Sequence, residues 1–354
     1  MRRILSGLLI AVGVSSLSSW AFWGCLPNPD ISLPDLAVAG PAADGGDGGA
    51  NRMDGPRSDL GAAAWQPDSS LGTAQTLRAV WVSDAAASEI YVVGHGGVIL
   101  HRSAGTWQKE ASGTDANLYA VAARSPSEVF AVGDRGTVLR RVSGTWMKEG
   151  SELATSTALF GVVVLPSGDV VSVGDSGVVA RRQTAGVWAA ETAPALAGLS
   201  LRAVGGSRLD GLVAVGLNSA IVRRGQLGWD KDPLTIEAAA RGNYYAVAVN
   251  PADGAPIVAG EYGIVLSRLA DRWQLETLRP PSGMTAPLHL YGLAVSDGEL
   301  FVVGAAGYVA HRPATGGAFT EEVSGTRSDL FAVTGQSLRG LVAVGDTGAL
   351  VRRQ

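Results

Sequence analysis

From Leu77 onward the chain repeats a single pattern of apolar and polar positions. Each copy opens on an apolar-x-small-apolar run: Leu77-Arg78-Ala79-Val80, Leu118-Tyr119-Ala120-Val121, Leu159-Phe160-Gly161-Val162, Leu201-Arg202-Ala203-Val204, Tyr244-Tyr245-Ala246-Val247, Leu290-Tyr291-Gly292-Leu293 and Leu330-Phe331-Ala332-Val333. A polar bend follows, then a second apolar run that ends on glycine, as in Glu128-Val129-Phe130-Ala131-Val132-Gly133. A tight turn leads into a third run that closes on arginine, as in Thr137-Val138-Leu139-Arg140-Arg141. A fourth run carries an aromatic: Trp107, Trp146, Trp188, Trp229, Trp273 and Phe319. Short apolar runs rich in β-branched and aromatic residues and punctuated by glycine are strand signals.

The turn-opening glycines, Gly94, Gly133, Gly174, Gly216, Gly260, Gly304 and Gly345, stand roughly forty residues apart, a period that marks radially repeated architectures. Four short strands in each of seven units predict an all-β fold, a seven-bladed β-propeller of four-stranded blades. The seventh unit shows no fourth strand after Arg353. Trp65 precedes Leu77 by about the interval that separates Trp107 from Leu118 and Trp146 from Leu159. Residues 62–68 are therefore expected to be the outer strand of the last blade, pairing near residues 349–353 and closing the ring with an N-terminal strand.

Composition adds compartment and excludes some partners. Charged residues are 17 % of the chain and glycine supplies 48 positions, which suits buried strands joined by tight turns. A net charge of −4 gives no footprint for nucleic acid. Cys25 is the single cysteine, so no internal disulfide is possible. Residues 1–25 read as an export signal: Arg2 and Arg3, then no charge until Asp30. The segment Phe22-Trp23-Gly24-Cys25 resembles a bacterial lipobox, which makes Cys25 the expected lipidation site; an uncleaved membrane anchor or a plain signal peptide is the alternative. Residues 26–61, rich in Gly, Ala, Pro and Asp, read as a disordered tether, leaving 62–354 as the propeller. The expected location is the cell envelope, as an exported outer-membrane or periplasmic lipoprotein.

The Val-Gly-x-x-Gly-x-apolar turn followed by Trp about ten residues later, as in Val132-Gly133-Asp134-Arg135-Gly136 and Trp146, resembles the bacterial repeat propellers grouped with Asp-box repeats and the photosystem II assembly/stability factor. The resemblance covers residues 62–354 and implies a binding or assembly role without naming a ligand. The Asp of an Asp-box is missing: the hairpin Val142-Ser143-Gly144-Thr145-Trp146 offers only Ser143. The third strand of no blade carries the Gly-His and Trp-Asp marks of WD40 repeats, and Gly228-Trp229-Asp230 is an isolated coincidence.

Four turns place a carboxylate directly after the glycine: Asp134, Asp175, Glu261 and Asp346. They could line a ligand-contact rim, with Tyr262 beside Glu261, or serve simply as good turn formers. The segment Gly174-Asp175-Ser176-Gly177-Val178 matches a protease nucleophile motif, yet in frame it is one more copy of the turn, with no His or Asp placed to activate Ser176. Of four histidines, His101 and His311 share a repeat position on blades that are not neighbours, so no metal or cofactor is expected. The aromatics Tyr119, Phe160, Tyr245, Tyr291 and Phe331 are expected in the core between blades, with a sugar-stacking platform as the alternative.

Every unit ends its third run on arginine: Arg102, Arg141, Arg182, Arg224, Arg268, Arg312 and Arg353. Glu89, Glu128 and Asp169 on the second runs would face Arg102, Arg141 and Arg182 in an even hairpin register, giving cross-strand ion pairs; a basic belt for polyanions is the alternative. Together these features predict a monomeric, lipid-anchored scaffold that binds an envelope protein or glycan. The rivals are a glycan hydrolase or lyase working in the channel and a non-catalytic surface-display spacer.

Overall fold

In a computed structural model the described residues are 64–354, apart from 151, 152, 154, 155, 233–239, 271 and 283. Cys25 and the segments expected to be an export signal and a tether, residues 1–25 and 26–61, lie outside them. The described chain forms seven four-stranded antiparallel sheets, which are the seven blades. The inner strands are Leu77–Val82, Leu118–Ser125, Leu159–Val164, Leu201–Gly205, Tyr244–Val249, Leu290–Ser296 and Leu330–Thr334. In blade 1 the sequence continues through a second strand (Ile90–Gly94), a third (Ile99–Ser103) and an outer strand (Thr106–Glu110), and the other blades follow the same order.

Blade 7 takes its outer strand from the beginning of the described chain. Trp65–Pro67 pairs antiparallel with Leu350–Arg353, in the register Trp65 to Arg353 and Pro67 to Val351. Trp65 is 4 % exposed and packs with Val351 and with Phe301 and Val309 of blade 6. The expected closure is therefore present, and the sheet edges that an open ring would leave are paired.

The core lies between blades. Tyr91, Val93 and Ile99 of blade 1 pack against Val129, Ala131, Leu139 and Trp146 of blade 2, and equivalent clusters recur around the ring. The turn glycine after each second strand is dictated by a close approach. A Cβ on Gly133 would lie 2.0 Å from the Asn117 carbonyl oxygen, and at the six equivalent glycines it would lie 1.9–2.2 Å from the corresponding backbone oxygen of the same blade. That oxygen accepts the N–H of the next residue, Asp134, at 2.9 Å and so ties the turn to the inner strand.

The turn also corrects the expected register. Val132 pairs with Val138 and Val129 with Arg141, so Glu128 lies opposite Val142 rather than Arg141. The extra turn residue, with Arg135 in the left-handed region at φ 55°, moves every third strand by one place. The acids therefore bond the preceding basic position: Glu128 with Arg140, Asp169 with Arg181 and Glu89 with His101. The arginines that end the third strands reach the neighbouring blade instead. Arg141 binds Glu110, Arg182 binds Glu149, Arg224 binds Glu191, Arg268 binds Asp232, Arg312 binds Glu276 and Arg353 binds Glu322.

The outer-strand tryptophans share these acids. Trp146 donates its indole N–H to Glu110 (2.6 Å), Trp188 to Glu149 (3.1 Å), Trp229 to Glu191 (2.8 Å), Trp273 to Asp232 (3.4 Å) and Trp65 to Glu322 (2.6 Å). Trp107 does the same to Asp68 (3.1 Å), while Arg102 has no ion-pair partner among the described residues. Phe319 has no N–H to give, and Arg312 stacks over its ring at 5.1 Å. Each blade boundary is thus held by a carboxylate from one blade that receives donors from the next, where a desolvated charge is stable only because it is paired.

Candidate functional site

The second residue of every inner strand is the extra residue of a β-bulge, since the pairing skips from Leu77 to Ala79, from Leu118 to Ala120 and likewise in the other five blades. A bulge re-aims the side chain it carries. Here it turns seven side chains into the central channel: Arg78, Tyr119, Phe160, Arg202, Tyr245, Tyr291 and Phe331, lining a space of about 190 Å³. The five aromatics are therefore not blade-to-blade core as the alternation suggested. They are half-buried walls of a funnel.

The ring is nearly continuous. Arg78 lies over Phe331 at 4.3 Å and Arg202 over Phe160 at 3.8 Å. Tyr119 meets Phe160 at 4.9 Å, Tyr245 meets Tyr291 at 5.6 Å, and Tyr291 meets Phe331 at 5.4 Å. Burial lowers the pKa of both Arg78 and Arg202 from the ordinary arginine value, the cost of holding a guanidinium away from water.

The four turn carboxylates sit beside this ring, and each binds a group next to or on it. Asn117 donates to Asp134 at 2.9 Å, and Tyr119 neighbours the same acid. Ser200 donates to Asp175, which also lies 3.5 Å from Arg202. Tyr245 donates its hydroxyl to Glu261 at 2.9 Å, and Thr76 donates to Asp346 at 2.6 Å. The bond from Thr76 keeps the Asp346 carboxyl below the ordinary aspartate value. Burial first, and the bond to Glu261 second, push the Tyr245 phenol upward; Tyr119 and Tyr291 are raised mainly by burial as well. All three phenols are thus held as donors at neutral pH. The turn carrying His95 has no acid, and there Arg78 Nε donates to His95 Nε2 at 3.0 Å. Burial and then the Arg78 charge hold that imidazole low in pKa, consistent with a neutral acceptor.

Tyr262 extends the aromatic surface outward. It holds the left-handed centre of its turn, at φ 57°, and is 57 % exposed. Its ring lies 5.8 Å from His289, which in turn lies 6.2 Å from Tyr291. An aromatic path therefore runs from the open face into the channel.

The turn acids and Tyr262 stand out in the sequence by their place in the repeat, whereas Arg78 and Arg202 do not. The signal was available: the second inner-strand position is always Arg, Tyr or Phe, bulky residues where a half-buried strand next to a small residue gives no reason for them. The Trp-x-x-acid spacing, from Trp65 with Asp68 to Trp273 with Glu276, was also legible and marks the blade clasps.

No protein-family model and no curated protein matches the chain. Solved structures do. YCF48 bound to D1 peptide superposes with a TM-score of 0.67 at 19 % identity, over 83 % of this chain and 96 % of that one. YCF48 from Cyanidioschyzon merolae gives 0.64 at 17 %, over 82 % and 99 %. The WD40 propeller domain of Doa1 gives 0.65 at 14 %, over 82 % and 97 %. The chain shares their propeller fold.

Proposed function

We propose that this propeller is a binding scaffold at the cell envelope, anchored through Cys25, that holds a segment of a partner protein in the mouth of its central channel. The observation that carries the reading is the bulge-aimed ring of two desolvated arginines and five aromatics. Tyr and Arg dominate the energetic centres of protein interfaces, because they bring large contact area with fixed donors. Half-buried guanidinium groups stacked on Phe331 and Phe160 are poised for main-chain carbonyls or a carboxylate of an incoming peptide. A structural neighbour, YCF48, is known bound to a D1 peptide, which supports a peptide ligand by analogy of fold.

A glycan hydrolase needs one free carboxyl raised into the general-acid range beside a second carboxylate. The rim acids instead accept from neighbouring donors, and Asp346 is lowered. A display spacer would have no use for arginines desolvated at the mouth. The test is selection of randomised peptides on the full chain, with a glycan array run in parallel. Peptides that bind the parent and bind Arg78→Met/Arg202→Met more than about tenfold more weakly carry the proposal. Glycan binding without peptide binding, or peptide binding indifferent to the double substitution, overturns it.

A further inference from the structure

Four blades hold a basic side chain between two carboxylates on the face opposite the turn glycines. His101 lies 2.9 Å from Glu110 and also bonds Glu89. Arg140 lies 3.1 Å from Glu149 and also bonds Glu128. Arg181 spans Asp169 at 3.1 Å and Glu191 at 3.8 Å, and His311 spans Glu299 at 3.2 Å and Glu322 at 3.4 Å. Blade 5 departs from the pattern at two positions. Ser267 stands where the others have His or Arg, and Ala255 where they have the second-strand acid.

A cavity of about 320 Å³ lies there, lined by Ser267, Glu276, Asp253, Arg268 and Arg312. That volume is at the lower end of small-ligand sites, roughly 300–1,000 Å³. The outer-strand acid Glu276 has stayed while the base and the second-strand acid have gone, and Asp253 of the preceding bend stands in the same wall. Glu110, Glu149, Glu191 and Glu322 each receive their own blade's base, the next blade's arginine and the next blade's indole. Among the described residues Glu276 keeps only Arg312, at 3.0 Å through Oε1, because Ser267 replaces the base and Phe319 replaces the tryptophan. Among the described residues Asp253 accepts only the Ala255 N–H, through Oδ1. Of the two cations in the wall, Arg268 is neutralised by Asp232 and Arg312 by Glu276. Arg312 itself is 1 % exposed, yet its Nε–H has no acceptor among the described residues. Among the described residues the cavity therefore leaves Glu276 Oε2 and Asp253 Oδ2 without a cation and one buried N–H without an acceptor.

We propose that this cavity is a second binding site, distinct from the channel mouth, which takes the guanidinium of an arginine side chain. The ligand supplies in trans the cation that Arg140 and Arg181 supply in cis. An arginine carried on a peptide would bring main-chain carbonyls for the unmet N–H as well as the cation for Glu276 and Asp253. Free guanidinium compounds would satisfy the carboxylates alone.

Titration calorimetry of the full chain at low ionic strength tests this with three probes: agmatine, acetyl-Gly-Arg-Gly-amide and its citrulline counterpart. The expected result is saturable binding of the arginine peptide, at least about tenfold tighter than the neutral citrulline peptide, since charge-assisted bonds carry the recognition. Agmatine binding more weakly than the peptide assigns the site to a partner's side chain. Agmatine binding as tightly assigns it to a free small cation. Ser267→Arg should fill the cavity from within and abolish binding, and Asp253→Asn, on an exposed loop, should weaken it severalfold with the fold intact. No binding of either cation, equal binding of citrulline, or binding unchanged in both variants overturns the proposal.

Discussion

Arg141 grips Glu110 across a blade boundary with two parallel bonds, Nε to one oxygen at 2.9 Å and Nη2 to the other at 2.8 Å. The pair is 13 % and 16 % exposed, and the Trp146 indole completes the carboxylate's coordination. Bidentate geometry of this kind gives direction as well as energy. It fixes how one blade leans on the next.

Breaking one such clasp should cost far more than an exposed ion pair. Arg182→Met leaves Glu149 without its blade-to-blade cation, and a loss of about 3 kcal/mol is expected, at the lower end for pairs that lose one buried partner. Replacing both Arg182 and Glu149 by methionine should recover part of that loss. Chemical denaturation of the three variants measures it, and a double variant less stable than the single one would contradict the account.

Acid should loosen the same boundaries. Burial alone would raise the Glu110 carboxyl, but bonds from Arg141 and Trp146 outweigh it and hold the group below its ordinary 4.5; Glu191 is lowered in the same way by Arg224 and Trp229. A folded-state pKa below the unfolded one means the stabilisation is complete above pH 4.5 and is lost as pH falls through the depressed values. Stability measured from pH 7 downward should therefore be flat and then drop below the ordinary glutamate value. Glu110→Gln and Glu191→Gln should each make that drop shallower.

The turn glycines are required by space rather than by backbone angle. Gly133→Ala would put a methyl 2.0 Å from the Asn117 oxygen, so a loss of more than about 3 kcal/mol is expected. Gly113, with φ +70° and no atom within 4 Å of a built Cβ, should lose only about 1 kcal/mol on the same change. Thermal melts of the two proteins separate the cases.

Tyr262 gives a case where stability and binding should part. Its left-handed backbone is strained for a tyrosine, so Tyr262→Gly should melt no lower than the parent and gain up to about 1 kcal/mol. Affinity for a channel-mouth peptide should fall by about tenfold if the exposed ring makes contact. Melting curves and calorimetry on one preparation would show both.

The architecture was readable because it is written seven times over: the glycines at the turns, the apolar second strands and the displaced Trp65 left few alternatives. The site was harder to read, for a local reason. Strict alternation from Leu77 or Leu118 puts the second inner-strand residue on a blade face, and only the bulge sends Arg78 or Tyr119 into the channel. A bulge leaves no mark in a hydrophobic pattern. The arginine partners failed for a related reason, since one left-handed turn residue such as Arg135 shifts a register that the residues themselves allow either way. Rim acids such as Asp134 and Asp346 were visible, while their ties to Asn117 and Thr76 depend on the folded approach of turn and strand.

Ring closure also orders events in time. Trp65 is made early and waits for Glu322, 257 residues further along, before its indole finds an acceptor. Until Leu350–Arg353 has emerged, blade 7 lacks a third strand and Trp65–Pro67 has nothing to pair with. Six blades can stack as they appear, each on its predecessor, while the first and sixth keep raw flanks. Contacts so distant along the chain are slow to form, and an incomplete ring with exposed strand edges is prone to join another copy. The seventh blade is therefore expected to set the pace of folding, and a chaperone acting on this chain would have most to do in the interval before its two ends meet.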